Sequence, residues 1–384
     1  MILFLIIAAV LFTGILIYKP SYIAVLLFTM IIADVNLEMI ALPLNLRAII
    51  SLALFGRIVL DKKLSGNPSF FVDVNALFML AYVIYIVLVS FPYGLLDIDL
   101  IKNSFLAFIA AYCGYHIFFK TGDYRYLKIS IILAGLICFS DLVYTYKVYG
   151  GFPVRRLYSI FSDKLVETNW NFFGYICGVS FVFLLNDFIH DHLNNKLIVL
   201  LLPVMLLGVI MSTSRSALLG LFVVSIVLFW NALRSRDKGN KIVNLLLIFL
   251  GCFIIVLLVF QGLKGLFHID SSFVDKIMAR LIDEPIAVLN KQLGNQYNVQ
   301  ALDSMEWREE SSANAFDAFL NLSTIEQFFG IGMGGFLARD LGFGLNPHNG
   351  FLKILIETGI IGTMLYMLLI LFMGRQSGLL KNHS

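Results

Sequence analysis

The sequence predicts an all-α polytopic membrane protein of about ten to twelve transmembrane helices, with a large, partly helical loop on one face. Three observations carry that prediction. Hydrophobic residues make up 59% of the chain and charged residues 14%, with a mean hydropathy of +0.88, a balance no soluble domain carries. The apolar residues fall in long runs broken by short polar loops. The charges sit in those loops and sum to only +3, too small an excess to imply a nucleic-acid partner.

The apolar runs cover residues 2–18, 22–33, 48–60, 74–93, 104–119, 129–148, 172–189, 197–211, 217–233, 242–261 and 349–373. The second and third are short for a span, which needs roughly 20 residues. The 35 phenylalanines suit lipid-facing helices. Cys113, Cys138, Cys177 and Cys252 all lie inside apolar runs and read as small core residues, away from any loop where a disulfide or metal site would form. The first run meets Lys19-Pro20 without a small-residue cleavage site, so no removable signal peptide is expected. The chain shows no internal repeat and no Pro-rich or Gly/Ser-rich linker.

Orientation follows from the short loops. One set holds Lys19, Arg57, Lys62, Lys63, Lys120, Arg125, Lys128, Lys196, Arg234, Arg236, Lys238, Lys241, Arg375 and Lys381. The opposite set holds half as many, at Arg47, Lys102, Lys147, Arg155, Arg156, Lys164 and Arg215. The first set is expected in the cytoplasm. The C-terminus then lies inside, and segment 263–346 lies outside. That segment is too long for a bare connection and is expected to carry its own structure. Over 306–322 it reads as a helix, with Ala313, Phe316 and Leu320 on one face. The expected organisation is a helix bundle over 1–262, an outer loop over 263–346 capping it, and a final span with a cytoplasmic tail over 347–384.

The polar residues that could carry chemistry gather at the outer face. Asn346-Pro347-His348-Asn349-Gly350 turns the loop back into the last apolar run. Asn346 suits a helix cap, Pro347 the first helical position, and His348 and Asn349 the first turn. His348 is then placed beside free N–H groups and the positive end of a helix dipole, a setting that attracts anions. A lone histidine at a helix start is more often structural than catalytic. Yet His116, His190, His192 and His383 fall on the cytoplasmic side, leaving only His268 and His348 outside. An outward-facing reaction needing a base near neutral pH has few other candidates.

Met211-Ser212-Thr213-Ser214-Arg215-Ser216 is a tight polar break between two apolar runs, and Arg215 is its only charge. A guanidinium there needs a partner, and a phosphate is a natural bidentate one. A snorkelling arginine, or one paired to a carboxylate, stands as an equal reading. Asp97 and Asp99 have metal-like spacing, but two carboxylates make a poor cation site and read as a solvated loop. No metal or other cofactor is expected. Asp141 and Lys147 either line a cavity or pair with neighbours. Glu357 follows Lys353 by four residues, which favours a pair within the helix. Gly330–Gly335 is glycine-rich without a surrounding βαβ unit, so it reads as a turn letting the loop approach the membrane.

Taken together these strings resemble a family. His348-Asn349, nine residues, then Gly359-x-x-Gly362 is similar to the motif that closes the large periplasmic loop of the O-antigen ligase/polymerase superfamily. Thr213-Ser214-Arg215 resembles that family's short Ser-Arg motif. Arg308, with Trp307 beside it, and the later Phe329–Phe336 run resemble its Arg-bearing loop helix and Gly-rich turn. Asn169-Trp170-Asn171, after Arg155-Arg156, loosely resembles the entry to a middle helix. The likeness covers roughly the C-terminal two-thirds, and the first third matches only as apolar helices.

The resemblance implies a GT-C-like inner-membrane glycosyltransferase with its active site facing the periplasm. It implies an undecaprenyl-pyrophosphate-linked glycan as donor, and inverting, metal-independent transfer. His348 would be the base, and Arg215 and Arg308 would hold the diphosphate. Arg155 and Arg156, with Asn349, would serve an acceptor or second lipid-linked substrate, although a basic loop near headgroups explains the two arginines equally well. The favoured activity is polymerisation of O-antigen repeat units, and the alternative is ligation to lipid A-core. Membrane lipid and the acceptor glycolipid are implied partners, with a flippase and a chain-length regulator as further ones. A transporter that moves the glycolipid without chemistry would instead expect charges along a path through the bundle.

Overall fold

The computed structural model describes residues 12–33, 46–64, 74–94, 98–120, 124–149, 157–158, 165–166, 170–190, 195–212, 214–234, 299–341 and 350–376, with positions 250, 251, 254, 286, 287, 290 and 293. These residues are almost wholly helical. Thirteen helices are labelled here in chain order. Phe12–Tyr18 (α1) and Pro20–Ile32 (α2) are bent by 115° at Lys19, where proline removes a backbone donor. Leu46–Leu64 (α3), Val74–Ser90 (α4) with a 3₁₀ turn over Phe91–Tyr93, and Ile98–Gly114 (α5) running into a π-helical Tyr115–Lys120 follow. Then come Tyr124–Tyr149 (α6), Trp170–His190 (α7), Asn195–Met211 (α8) and Arg215–Arg234 (α9). Val299–Leu320 (α10), Thr324–Phe329 (α11), Gly335–Ala338 (α12) and Gly350–Gln376 (α13) complete the chain. Leu157–Tyr158 (β1) and Leu165–Val166 (β2) form a two-residue antiparallel pair.

The fold is that of an all-α polytopic membrane protein. Among the described residues, α6 over Tyr124–Thr145 and α13 over Gly350–Leu371 are long and apolar enough to cross a bilayer, and the bent α1–α2 pair gives a third such run. Leu77–Tyr93, Phe172–Phe188, Leu197–Met211 and Ser216–Val227 are shorter apolar helices. The chain divides into two compact units. One comprises Met1–Ala24, Ala48–Asp123 and Asn298–Ser384, the other Val25–Arg47 and Tyr124–Tyr297.

In the second unit, α6, α7 and α8 pack closely because small residues meet at their crossings. A Cβ added at Gly135 would meet Ser180 and Met205, and one at Gly208 would meet Cys177. Phe181, Leu184, Leu185, Ile198, Leu202 and Met205 fill the core between them. Lys128 Nζ donates to Asp187 Oδ1 at 2.6 Å, pairing the start of α6 with the end of α7. Asp141 is buried and Lys147 exposed.

In the first unit, α4 packs on α5 and α13, around Met79, Val83, Phe108, Tyr115 and Leu369. The loop helix expected over 306–322 is present as α10, but its buried face differs from expectation. Ser311, Ala315 and Phe319 point inward, while Ala313, Phe316 and Leu320 are exposed. Apolarity alone could not choose between these two stripes, because the inward one is fixed by packing on Ile331, Phe336 and Ile356.

Candidate functional site

The polar break between α8 and α9 closes with its own side chains. Ser212 Oγ donates to Val209 O at 2.7 Å, satisfying a carbonyl at the end of α8. Ser214 Oγ accepts from Ala217 N at 3.3 Å, three residues on, as an N-cap does. Arg215 is therefore the first residue of α9, at the positive end of a 20-residue helix. Ser212 and Ser214 are both buried, and Gly174 on α7 makes room for them: a Cβ there would meet Ser212 Oγ and Ser214 Cβ. That glycine was not singled out from the sequence.

The second polar feature is a break inside α13. Gly359 has φ 67° and ψ −175°, a conformation essentially reserved for glycine, so the helix is interrupted nine residues after it begins. The break frees the carbonyls of Ile356, Glu357 and Thr358 from their usual partners four residues on. The glycine-rich turn fills two of them: Ile331 N donates to Ile356 O at 3.2 Å and Gly332 N to Glu357 O at 2.9 Å. Tyr85 of α4 takes the third, its hydroxyl lying 2.8 Å from Thr358 O and 2.9 Å from Phe329 O. The Gly362 N–H faces the same phenolic oxygen. Tyr85 is thus inserted into the helical bond that Gly362 and Thr358 would otherwise make.

This geometry gives the Gly359-x-x-Gly362 spacing a physical meaning. A Cβ at Gly359 would strike the backbone of Phe328 and Gly330, and one at Gly330 would strike Glu357, Thr358 and Gly359. At Gly362 a Cβ would lie 2.6 Å from the Tyr85 ring. The first glycine bends the helix and admits the loop; the second admits the tyrosine.

Glu357 is 1% exposed. Lys353, four residues before it, acts on it as a nearby charge, as the spacing suggested, and the N–H groups of Gly334 and Phe336 also face its carboxylate. Its Oε1 has no hydrogen-bond partner among the described residues. Around this centre, Ser90 Oγ accepts from Met333 N at 3.0 Å, and Arg339 Nη1 donates to Glu326 Oε1 at 2.7 Å. The Arg339 guanidinium beside Glu326 holds its carboxyl below the usual carboxylate range, and hydrogen bonds from Ser323 add to that effect.

Among the expected site residues, Arg215 opens α9 in the second unit and Arg308 lies on α10 in the first. His348 and Asn349 lie outside the described residues, as do Asn346 and Pro347; α13 is described from Gly350, two positions after His348. Arg155, Arg156 and Asp97 also lie outside them, and Asp99 falls in the first turn of α5. The residues that sequence reasoning missed are Tyr85, Ser90 and Gly174. They sit in apolar helices far along the chain from the motifs they support.

Fold and site together define a polytopic membrane protein in which a glycine-rich segment is keyed into a broken helix. Residues 199–367 match the family model described as O-Antigen ligase, from α8 through most of α13. That match supports a place in the O-antigen ligase/polymerase superfamily, whose members are glycosyltransferase-like enzymes. No curated protein and no solved structure matches the chain.

Proposed function

We propose that the protein is an inner-membrane glycosyltransferase that moves a glycan from undecaprenyl diphosphate onto a hydroxyl of an acceptor glycolipid at the periplasmic face. The observation that carries this reading is the family match over 199–367, within which Arg215, Arg308, His348, Gly359 and Gly362 all fall in order. His348 takes the proton of the acceptor hydroxyl as its oxygen attacks the anomeric carbon. The bond from that carbon to the diphosphate breaks with inversion, and undecaprenyl diphosphate leaves. Arg215 and Arg308 offset the charge growing on the leaving group. No metal takes part in this scheme, and the helical scaffold is of the GT-C kind. Segment 263–346 covers the substrates as a periplasmic loop.

The favoured acceptor is the next lipid-linked repeat unit, which makes the protein an O-antigen polymerase. Arg155 and Arg156 support that choice as a second site for a diphosphate, with Asn349 beside the base. Ligation to lipid A-core is the second reading, favoured by the family's description as a ligase. A flippase upstream and a chain-length regulator fit the polymerase reading as partners. Reconstitution with lipid-linked repeat units, alone and with lipid A-core, separates the two. A ladder of repeats in the first mixture means polymerase, transfer only in the second means ligase, and no transfer in either sinks the enzyme reading.

A further inference from the structure

The segment from Ser323 to Arg339 lies against α4 and α13, and its depth along both helices can be read independently. Its tip, Phe329–Gly332, is hydrogen-bonded at the level of Ile356–Thr358 on α13 and Tyr85 on α4. Thr358 is eight residues inside the apolar stretch Gly350–Leu371, and Tyr85 is eight residues inside the end of Leu77–Tyr93. At ~1.5 Å per residue both place the tip roughly 12 Å below the ends of these helices. The mouth is shallower, because Arg339, which pairs with Glu326, stacks its guanidinium 4.7 Å from the centre of the Tyr93 ring.

Non-helical backbone at that depth has no water to satisfy it, so its polar groups must find protein partners. They do. The N–H groups of Gly330, Ile331, Gly332 and Met333 donate to Glu326 O, Ile356 O, Glu357 O and Ser90 Oγ, and that of Gly335 donates to Gly332 O. Those of Gly334 and Phe336 face the Glu357 carboxylate. Seven successive donors are thereby occupied, which a solvated loop does not require. The outward face of α11 is apolar, with Ile325 71%, Phe328 46% and Phe329 48% exposed. The helix packs on α13, which is long enough to cross the bilayer.

We propose that residues 323–339 form a re-entrant segment that dips into one leaflet, with Ile325, Phe328 and Phe329 docked on the acyl chains of the bilayer. The inference needs only that α4 and α13 cross a membrane, so it stands or falls apart from the glycosyltransferase reading. Glu357 then acquires a structural role, as the acceptor for two donors just beyond the tip, Gly334 and Phe336.

Spin labels on Ile325→Cys and Phe328→Cys, in full-length protein in vesicles of phosphatidylethanolamine and phosphatidylglycerol, test it. The unsubstituted chain measures labelling of native cysteines, and Lys147→Cys, at the exposed end of α6, reports a helix end. Power saturation should show collisions with oxygen, which partitions into hydrocarbon, exceeding those with a water-soluble nickel chelate at 325 and 328. The ratio should reverse at 147. Nickel accessibility at 325 and 328 matching that at 147 would overturn the proposal, since the segment would then lie in water. Protection from both reagents would overturn it too, since protein would cover the face. Both substituted positions are exposed, and Leu337→Cys on the returning arm supplies a third site with the same expected ratio if either variant folds poorly.

Discussion

The chain interrupts its apolar helices in two contrasting ways. At Ser212–Ser214 the break is closed locally: two serines bond to backbone within three residues of themselves. At Gly359 it is closed from afar, by Tyr85 at a sequence separation of 273 and by the 330–336 turn. A local closure survives changes elsewhere in the fold. A remote one holds only while three separate segments stay assembled, so the Gly359 break ties the loop to α4 and α13 as a single unit. The helix that begins just after His348 is fixed by that tie.

The largest effects should come from filling the remote break. Gly359→Ala forces a side chain into a conformation reserved for glycine and into the backbone of Phe328 and Gly330. Strain and overpacking together should cost about 3 kcal/mol or more. Thermal unfolding in detergent should show a large loss, and a near-native midpoint would mean that the helix is not broken there. Tyr85→Phe comes next. It leaves the Thr358 carbonyl and the Gly362 N–H without their partner, a cost of ~1–3 kcal/mol for buried groups. Amide exchange at Gly362 should accelerate while α6 and α7 stay protected.

The local break should be the milder one to disturb. Ser214→Ala removes an N-cap and should cost ~1 kcal/mol. If Ser214→Ala proved as damaging as Tyr85→Phe, the contrast between local and remote closure would collapse. The smallest effect concerns the Glu326–Arg339 pair at the segment's mouth. Its folded carboxyl is depressed, so the stabilisation is complete above the ordinary carboxylate range and fades as pH falls through the lowered folded value. Protection of the Ser323 amide, which donates to Glu326 Oε2, should fall on acidification once its exchange is referred to the intrinsic rate at each pH, and Arg339→Gln should flatten that dependence.

The same contrast explains what the sequence disclosed. Spans such as α6 announce themselves through apolar length: the run at 129–148 lies within Tyr124–Tyr149. The Ser212–Arg215 break was equally visible, since both its residues and its partners lie in one short string. The Gly359 break was hidden inside an apolar run that reads as continuous over 349–373. Only the Glu357-Thr358-Gly359 string within it hinted at an interruption, and its partners lie in other segments. The inward stripe of α10 was misjudged for the same reason, because Ala315 and Phe319 are selected by remote packing. His348, Asn349, Arg155 and Arg156 remain sequence readings, as they lie outside the described residues.

The most direct test of the functional account is turnover of the His348→Gln variant in reconstituted membranes with a lipid-linked glycan donor. Glutamine can hydrogen-bond to an acceptor hydroxyl but cannot take its proton. General-base help is typically worth ~10²–10⁴-fold, so turnover should fall by that order while donor binding holds, with His348→Ala falling as far. A glutamine variant within a few-fold of the native rate would contradict the account, since His348 would then position the acceptor or the helix without moving a proton.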